Sequence, residues 1–188
     1  MKESGPYLPG SVWTFGDAAA LFIGGIVGSL VAITLAVVGN GGDELETVPL
    51  LIISSLGQAA VTLGLMFYMS RSRGTGSWDL DFGLRFESSD WRGLFFGMAL
   101  QIAVTLLVLL PLAFLLGLDD PPQQDVADIA GDAASLGGRI GVLIVLVVVA
   151  PVTEELLFRG VLLSRLRRAM SPWSAVAVSA LLFAGIHL

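Results

Sequence analysis

Apolar residues fall in long blocks along this chain, separated by short polar stretches. Residues 15–38 form the first block, broken only by Asp17 at its start. The others are 48–69, 93–118, 140–158 and 173–188. The hydrocarbon core of a bilayer is crossed by about 20 apolar residues of helix. The first four blocks therefore predict transmembrane helices, and the fifth predicts a shorter one. Pro111 predicts a kink in the third. The first block is too long for the core of a signal peptide, and no small-residue cleavage site follows it, so it reads as a retained span. The expected fold class is all-α: a polytopic helical membrane protein with about five transmembrane helices, residues 1–188 forming a single membrane domain.

Composition agrees with that pattern. Hydrophobic residues make up 55% of the 188, charged residues only 14%, and the mean hydropathy is +0.84. A soluble domain carries roughly 25% charged residues. The 16 acidic residues outnumber the 10 basic ones. With a net charge of −6 and no basic patch for phosphate contacts, a nucleic-acid partner is excluded. The chain has no Cys, which removes disulfides, thiolate zinc sites and a Cys nucleophile.

The loops alternate in charge. Segment 39–47 holds Asp43, Glu44 and Glu46, and segment 119–138 holds five Asp. Segment 70–92 holds Arg71, Arg73, Arg85 and Arg92, and segment 163–171 holds Arg165, Arg167 and Arg168. The positive-inside rule then puts the N-terminus and both basic loops in the cytoplasm. Trp78, Phe82, Phe86 and Trp91, set among the arginines of segment 70–92, suit the headgroup region. Segment 121–134 reads as a mobile outer loop. A stripe of small residues (Gly16, Ala20, Gly24, Gly28, Ala32, Ala36) marks the first helix for close packing, inside the bundle or between two copies. A similar stripe on the third helix, Gly93, Gly97, Gln101 and Thr105, favours packing inside.

The chemistry concentrates in Pro151–Arg168, which continues an apolar run. A charged side chain at mid-bilayer costs about 2.5–3.5 kcal/mol on insertion scales, so Glu154 and Glu155 call for a polar interior or a water-filled cavity. Glu155 and Arg159 are four residues apart and share a helix face, so they can pair. Glu154 points about 100° away and has no basic partner in its helix. A carboxylate so placed, beside water, is what a general base requires. Pro151 would kink the helix just before it; the bend either opens room for water or improves packing. Glu154 lies 16 residues beyond Gly138, about 24 Å into the span from outside, in the inner half of the bilayer. The single His is His187, with Phe183 four residues before it. A short turn at 171–172 makes the last two helices antiparallel neighbours, and Glu154 and His187 lie at similar distances on either side of it. The two can therefore meet at one depth.

These residues resemble the type II CAAX prenyl endopeptidase family, the CPBP or Abi intramembrane proteases. The family's EExxxR motif is matched by Glu154-Glu155-Leu156-Leu157-Phe158-Arg159, followed by Gly160. Its FxxxH motif is matched by Phe183-Ala184-Gly185-Ile186-His187. The motif-bearing portion is 138–188. The resemblance implies an intramembrane endopeptidase in which Glu154 activates a water, His187 helps to bind it, and Glu155, Arg159 and Phe183 support the site. It also implies a third motif, a second His with an Asn four positions on, which is absent from these 188 residues. A C-terminally truncated and by itself inactive fragment is the corresponding expectation.

Rival readings are a non-catalytic immunity or scaffold protein of the same fold, and a proton-coupled transporter, for which no inverted repeat is seen. No cofactor is expected. Glu154 and His187 leave room for a divalent metal but stand two ligands short of a tetrahedral site. The expected partners are membrane lipids and a peptide or membrane-protein substrate, with or without a prenyl group. The expected location is the plasma membrane of a bacterium.

Overall fold

The computed structural model describes residues 13–84, 87, 88, 90–116, 129, 131, 133 and 135–187. Every regular element among them is a helix. They are α1 (Phe15–Gly39), α2 (Thr47–Arg73), the short α3 (Trp78–Phe82), α4 (Asp90–Leu115), α5 (Leu136–Ala169) and α6 (Pro172–Gly185). Four of these, α1, α2, α4 and α5, are long and apolar enough to cross a membrane, and α6 is a shorter apolar helix. The all-helical expectation holds. Phe86 and most of segment 121–134 lie outside the described residues.

The three-helix centre is built on the small-residue stripe of α1. Gly24 and Gly28 face Val61 and Leu65 of α2, and a Cβ on Gly28 would come within 2.5 Å of the Gly57 carbonyl oxygen. Between membrane helices, such close backbone approach supplies the van der Waals contact that water-driven burial cannot. The stripe thus packs inside the bundle. Gly28→Val should cost about 1–3 kcal/mol through overpacking, read as a lower melting temperature in detergent. The second stripe behaves differently. A Cβ on Gly93 or Gly97 would meet nothing within 4 Å, and no described side chain of α4 is buried.

α5 runs antiparallel to α1. Near its start, Gly138 and Gly141 sit against Val48 and Ile52 of α2. At its far end, Arg168 donates to the Trp13 carbonyl at 3.0 Å and Arg165 lies over the Phe15 ring at 4.6 Å. With Arg73 paired to Asp17 at 2.5 Å, the basic loops and the start of α1 gather at one end of the bundle. Asp17 also closes a capping box: its carboxylate accepts from the Thr14 N–H at 2.8 Å while its own N–H donates to the Thr14 hydroxyl. A charge that looks like an interruption of the first apolar block is therefore the start signal of its helix.

Segment 70–92 does more than lie at an interface. Asp81 is fully buried and accepts hydrogen bonds from the Ser70 hydroxyl at 2.5 Å, the Thr75 N–H and hydroxyl, and the Gly76 N–H. That knot folds α3 back under the bundle. Phe82 enters the core, stacked on Trp13 at 5.2 Å, whose indole N–H donates to the Asp81 carbonyl at 2.7 Å. The headgroup reading therefore fails for Phe82, which is buried with Leu156, Leu157, Phe158 and Val161 of α5.

Candidate active site

α5 is not uniformly α-helical. Wide π turns occupy Val145–Val149 and Leu156–Leu163, and another occupies Thr105–Leu109 of α4. The first two of these in chain order each end two residues before a proline: Thr105–Leu109 precedes Pro111, and Val145–Val149 precedes Pro151. Proline supplies no N–H, and its ring crowds the carbonyl four residues earlier. A widened turn there relieves that crowding, so both expected bends take the form of π turns. The Thr153 hydroxyl donates to the Val149 carbonyl at 2.7 Å. Glu154 and Glu155 thus stand on a short α segment, Ala150–Glu155, between two π turns.

The second π turn sorts the motif side chains. Leu156, Leu157, Phe158, Gly160 and Val161 are buried, whereas Arg159 stays exposed. Gly160 is required by contact: a Cβ there would lie 2.9 Å from the Phe82 carbonyl oxygen. Arg159 pairs with Glu155 at 3.0 Å, as the four-residue spacing predicts, with both side chains more than half exposed. Exposed pairs of this kind contribute about 0.3–0.5 kcal/mol. Glu155→Gln should accordingly leave the melting temperature almost unchanged, and a large drop would show a buried role for this carboxylate.

His187 lies just past the end of α6, which closes at Gly185. Its backbone N–H donates to the Ala184 carbonyl at 3.0 Å. The Phe183 carbonyl is instead met by the ring Nδ1 at 2.7 Å. Carbonyls of a last helical turn lack partners within the helix, so the imidazole acts as a side-chain cap. A carbonyl only accepts, so Nδ1 carries a proton, and in the neutral tautomer that this selects Nε2 presents a lone pair.

Nε2 is 3.6 Å from Oε1 of Glu154, with the side chains 46% and 31% exposed. Glu154, midway along α5, and His187, at the end of α6, therefore do meet, and both remain accessible. Rings fix the approach: Phe183 lies 4.3 Å from the imidazole, and Phe158 meets Phe183 edge-on at 5.1 Å. Beside the pair, a cleft of about 440 Å³ opens between α5 and α6, lined by Pro151, Glu154, Glu155, Arg159, Ser179 and Phe183 among others. Phe158 and the buried Ser179 were not singled out from the sequence. Each lies four residues from a motif residue, Phe158 after Glu154 and Ser179 before Phe183, and that spacing was the available signal.

Among the described residues no three His, Cys, Asp or Glu side chains converge as a metal set.

Residues 137–188 match the family model described as Rce1-like: type II CAAX prenyl endopeptidase Rce1-like. The matched segment begins in the first turn of α5 and contains both motifs. No curated protein and no solved structure matches the chain. The Rce1-like match supports a protease-type enzyme, and with the four long apolar helices it makes this an integral membrane protein.

Proposed function

We propose that the chain is an intramembrane endopeptidase that hydrolyses peptide bonds with a water activated by Glu154. The observation that carries this reading is the approach of Glu154 Oε1 to His187 Nε2 at 3.6 Å, inside the Rce1-like segment. That separation is too long for a direct hydrogen bond, and a water beside the pair, on the cleft side, can reach both atoms. Ionised Glu154 and neutral His187 both offer acceptors, and a water has two protons to give. Held so, its lone pairs face the cleft.

The water oxygen bonds to the scissile carbonyl carbon as Glu154 takes its proton, giving a tetrahedral intermediate. Glu154 then returns that proton to the amide nitrogen as the C–N bond breaks, leaving a carboxylic acid and an amine. His187 orients the water, Phe183 and Phe158 hold the imidazole, and the Glu155–Arg159 pair lines the cleft. No metal enters these steps. The substrate is a peptide or membrane-protein segment, with or without a prenyl group, presented from surrounding lipid. The gathering of Arg73, Arg165 and Arg168 with Trp13 at one end supports a cytoplasmic N-terminus under the positive-inside rule, in the plasma membrane of a bacterium.

The test is cleavage of quenched fluorescent peptides, prenylated and unprenylated, by the complete protein in lipid vesicles. Cleavage that persists with a chelator present supports the reading. If no peptide is cleaved, a non-catalytic immunity or scaffold role takes its place.

A further inference from the structure

Basic residues collect towards the end of α5. Residues 156–188 hold Arg159, Arg165, Arg167 and Arg168 and no Asp or Glu, in a chain whose acids outnumber its bases. Arg159, Arg167 and Arg168 line a pocket of about 220 Å³ that adjoins the Glu154 cleft through Arg159 and Leu163. All three arginines are exposed, and none of the described residues lining the pocket is acidic. Glu155 offsets Arg159 from the cleft side at 3.0 Å. Arg167 makes no ion pair among the described residues. The pocket is therefore a cationic recess in an acidic protein.

Its walls narrow what the anion can be. Phe82, Gly160 and Leu163 are apolar, and the Ser164 hydroxyl already donates to the Val161 carbonyl at 2.8 Å. Polar contacts must come from the guanidinium groups, which grip phosphate oxygens through paired, charge-assisted hydrogen bonds. The volume falls below the roughly 300–1,000 Å³ of pockets that enclose a whole small molecule. One anionic group enters, and the rest of its molecule stays outside.

Depth says where that rest goes. Arg168 is tied to the Trp13 carbonyl, and Trp among basic residues marks the headgroup level. Arg159 stands nine residues back along α5, about 13 Å closer to the hydrocarbon core. A phosphate held by Arg167 and Arg168 thus has Leu163, Gly160 and Phe82 on its hydrocarbon side. That is the order of a glycerophospholipid, with phosphate outside and chains inside. A free phosphate would leave the apolar wall bare.

The geometry points to the Arg159–Arg167–Arg168 pocket as a binding site for the headgroup phosphate of an anionic phospholipid. Basic pockets beside membrane helices suit such headgroups. The site needs no cleavage step and stands whether or not Glu154 is a base.

The test counts bound lipid by native mass spectrometry of the complete protein in detergent. It is titrated with phosphatidylglycerol or with phosphatidylcholine of the same chains. The first phosphatidylglycerol should bind about ten- to a hundredfold more tightly, the worth of one hydrogen bond to a charged group. Arg167→Gln removes no described ion pair, so it should leave the melting temperature unchanged while bringing the two Kd values to within about threefold. Arg167→Lys should restore part of the preference. Arg71→Gln should leave the preference whole, because Arg71 lies over the Phe67 ring, outside the pocket. Equal Kd values for the two lipids would overturn the assignment. So would a preference that Arg167→Gln leaves intact, or one that Arg71→Gln weakens as much, since diffuse surface charge would then be its cause. Displacement of the lipid by millimolar inorganic phosphate would give the pocket to a free anion instead.

Discussion

Glu154→Gln should lower peptide hydrolysis by about 10²–10⁴-fold, the range that a positioned general base supplies. The amide matches the carboxylate in size, so the cleft and the ring stack of Phe158, Phe183 and His187 stay as they are. Only the capacity to take the water's proton is lost. His187→Ala should cost less, about ten- to a hundredfold, because the base survives and one acceptor for the water disappears. The two changes act on one water, so the double variant should fall little below Glu154→Gln alone. Initial rates on one cleavable peptide, with each variant shown to be inserted at the normal level, decide the matter. Glu154→Gln retaining more than a tenth of the activity would remove it from the role of base.

The meeting of Glu154 and His187 is legible in the sequence because it depends on counting. Both lie near equal distances from a short turn, and antiparallel neighbours bring equal distances to equal depth. The spans of α1, α2 and α5 were legible for a similar reason, since about 20 apolar residues have few other uses. Other features left weaker traces. A π turn shifts a hydrogen-bond register without changing which residue types are favoured, so the turn at Leu156–Leu163 has no compositional mark. It nevertheless decides that Phe158 is buried while Arg159 is exposed. His187 counts as helical by spacing, yet α6 ends at Gly185 and the imidazole itself caps the Phe183 carbonyl. The five-residue α3 carries too short a pattern to show which face it buries. Phe82 among arginines looked like a headgroup residue, because a buried aromatic and an interfacial one have the same local sequence.

Asp81→Ala should destabilise the fold by about 2–4 kcal/mol, the largest stability loss expected from a residue outside the cleft. The carboxylate is fully buried, and its loss strands the Ser70 hydroxyl, itself buried, along with donors from Thr75 and Gly76. The consequence reaches the site through Gly160. α3 is held against α5 where Phe82 abuts Gly160, beside Arg159 and just past Glu154 and Glu155. Activity should therefore fall with stability and recover on cooling, unlike that of Glu154→Gln. The acid response supplies a second check. Burial acts to raise the Asp81 pKa, but the hydrogen bonds from Ser70, Thr75 and Gly76 outweigh it and hold the group below the ordinary aspartate value of 3.8. The folded state thus keeps Asp81 ionised at a pH where the unfolded chain takes up a proton. Its stabilisation is complete above the ordinary aspartate range and is lost as pH falls through the lowered folded value. The melting-temperature gap between the unsubstituted protein and Asp81→Ala, measured in detergent, should be constant from neutral pH to about pH 5 and narrow below pH 4. A gap that instead widened with acid would mean that Asp81 is held protonated, and the knot beneath α3 would have to be rebuilt around a neutral acid.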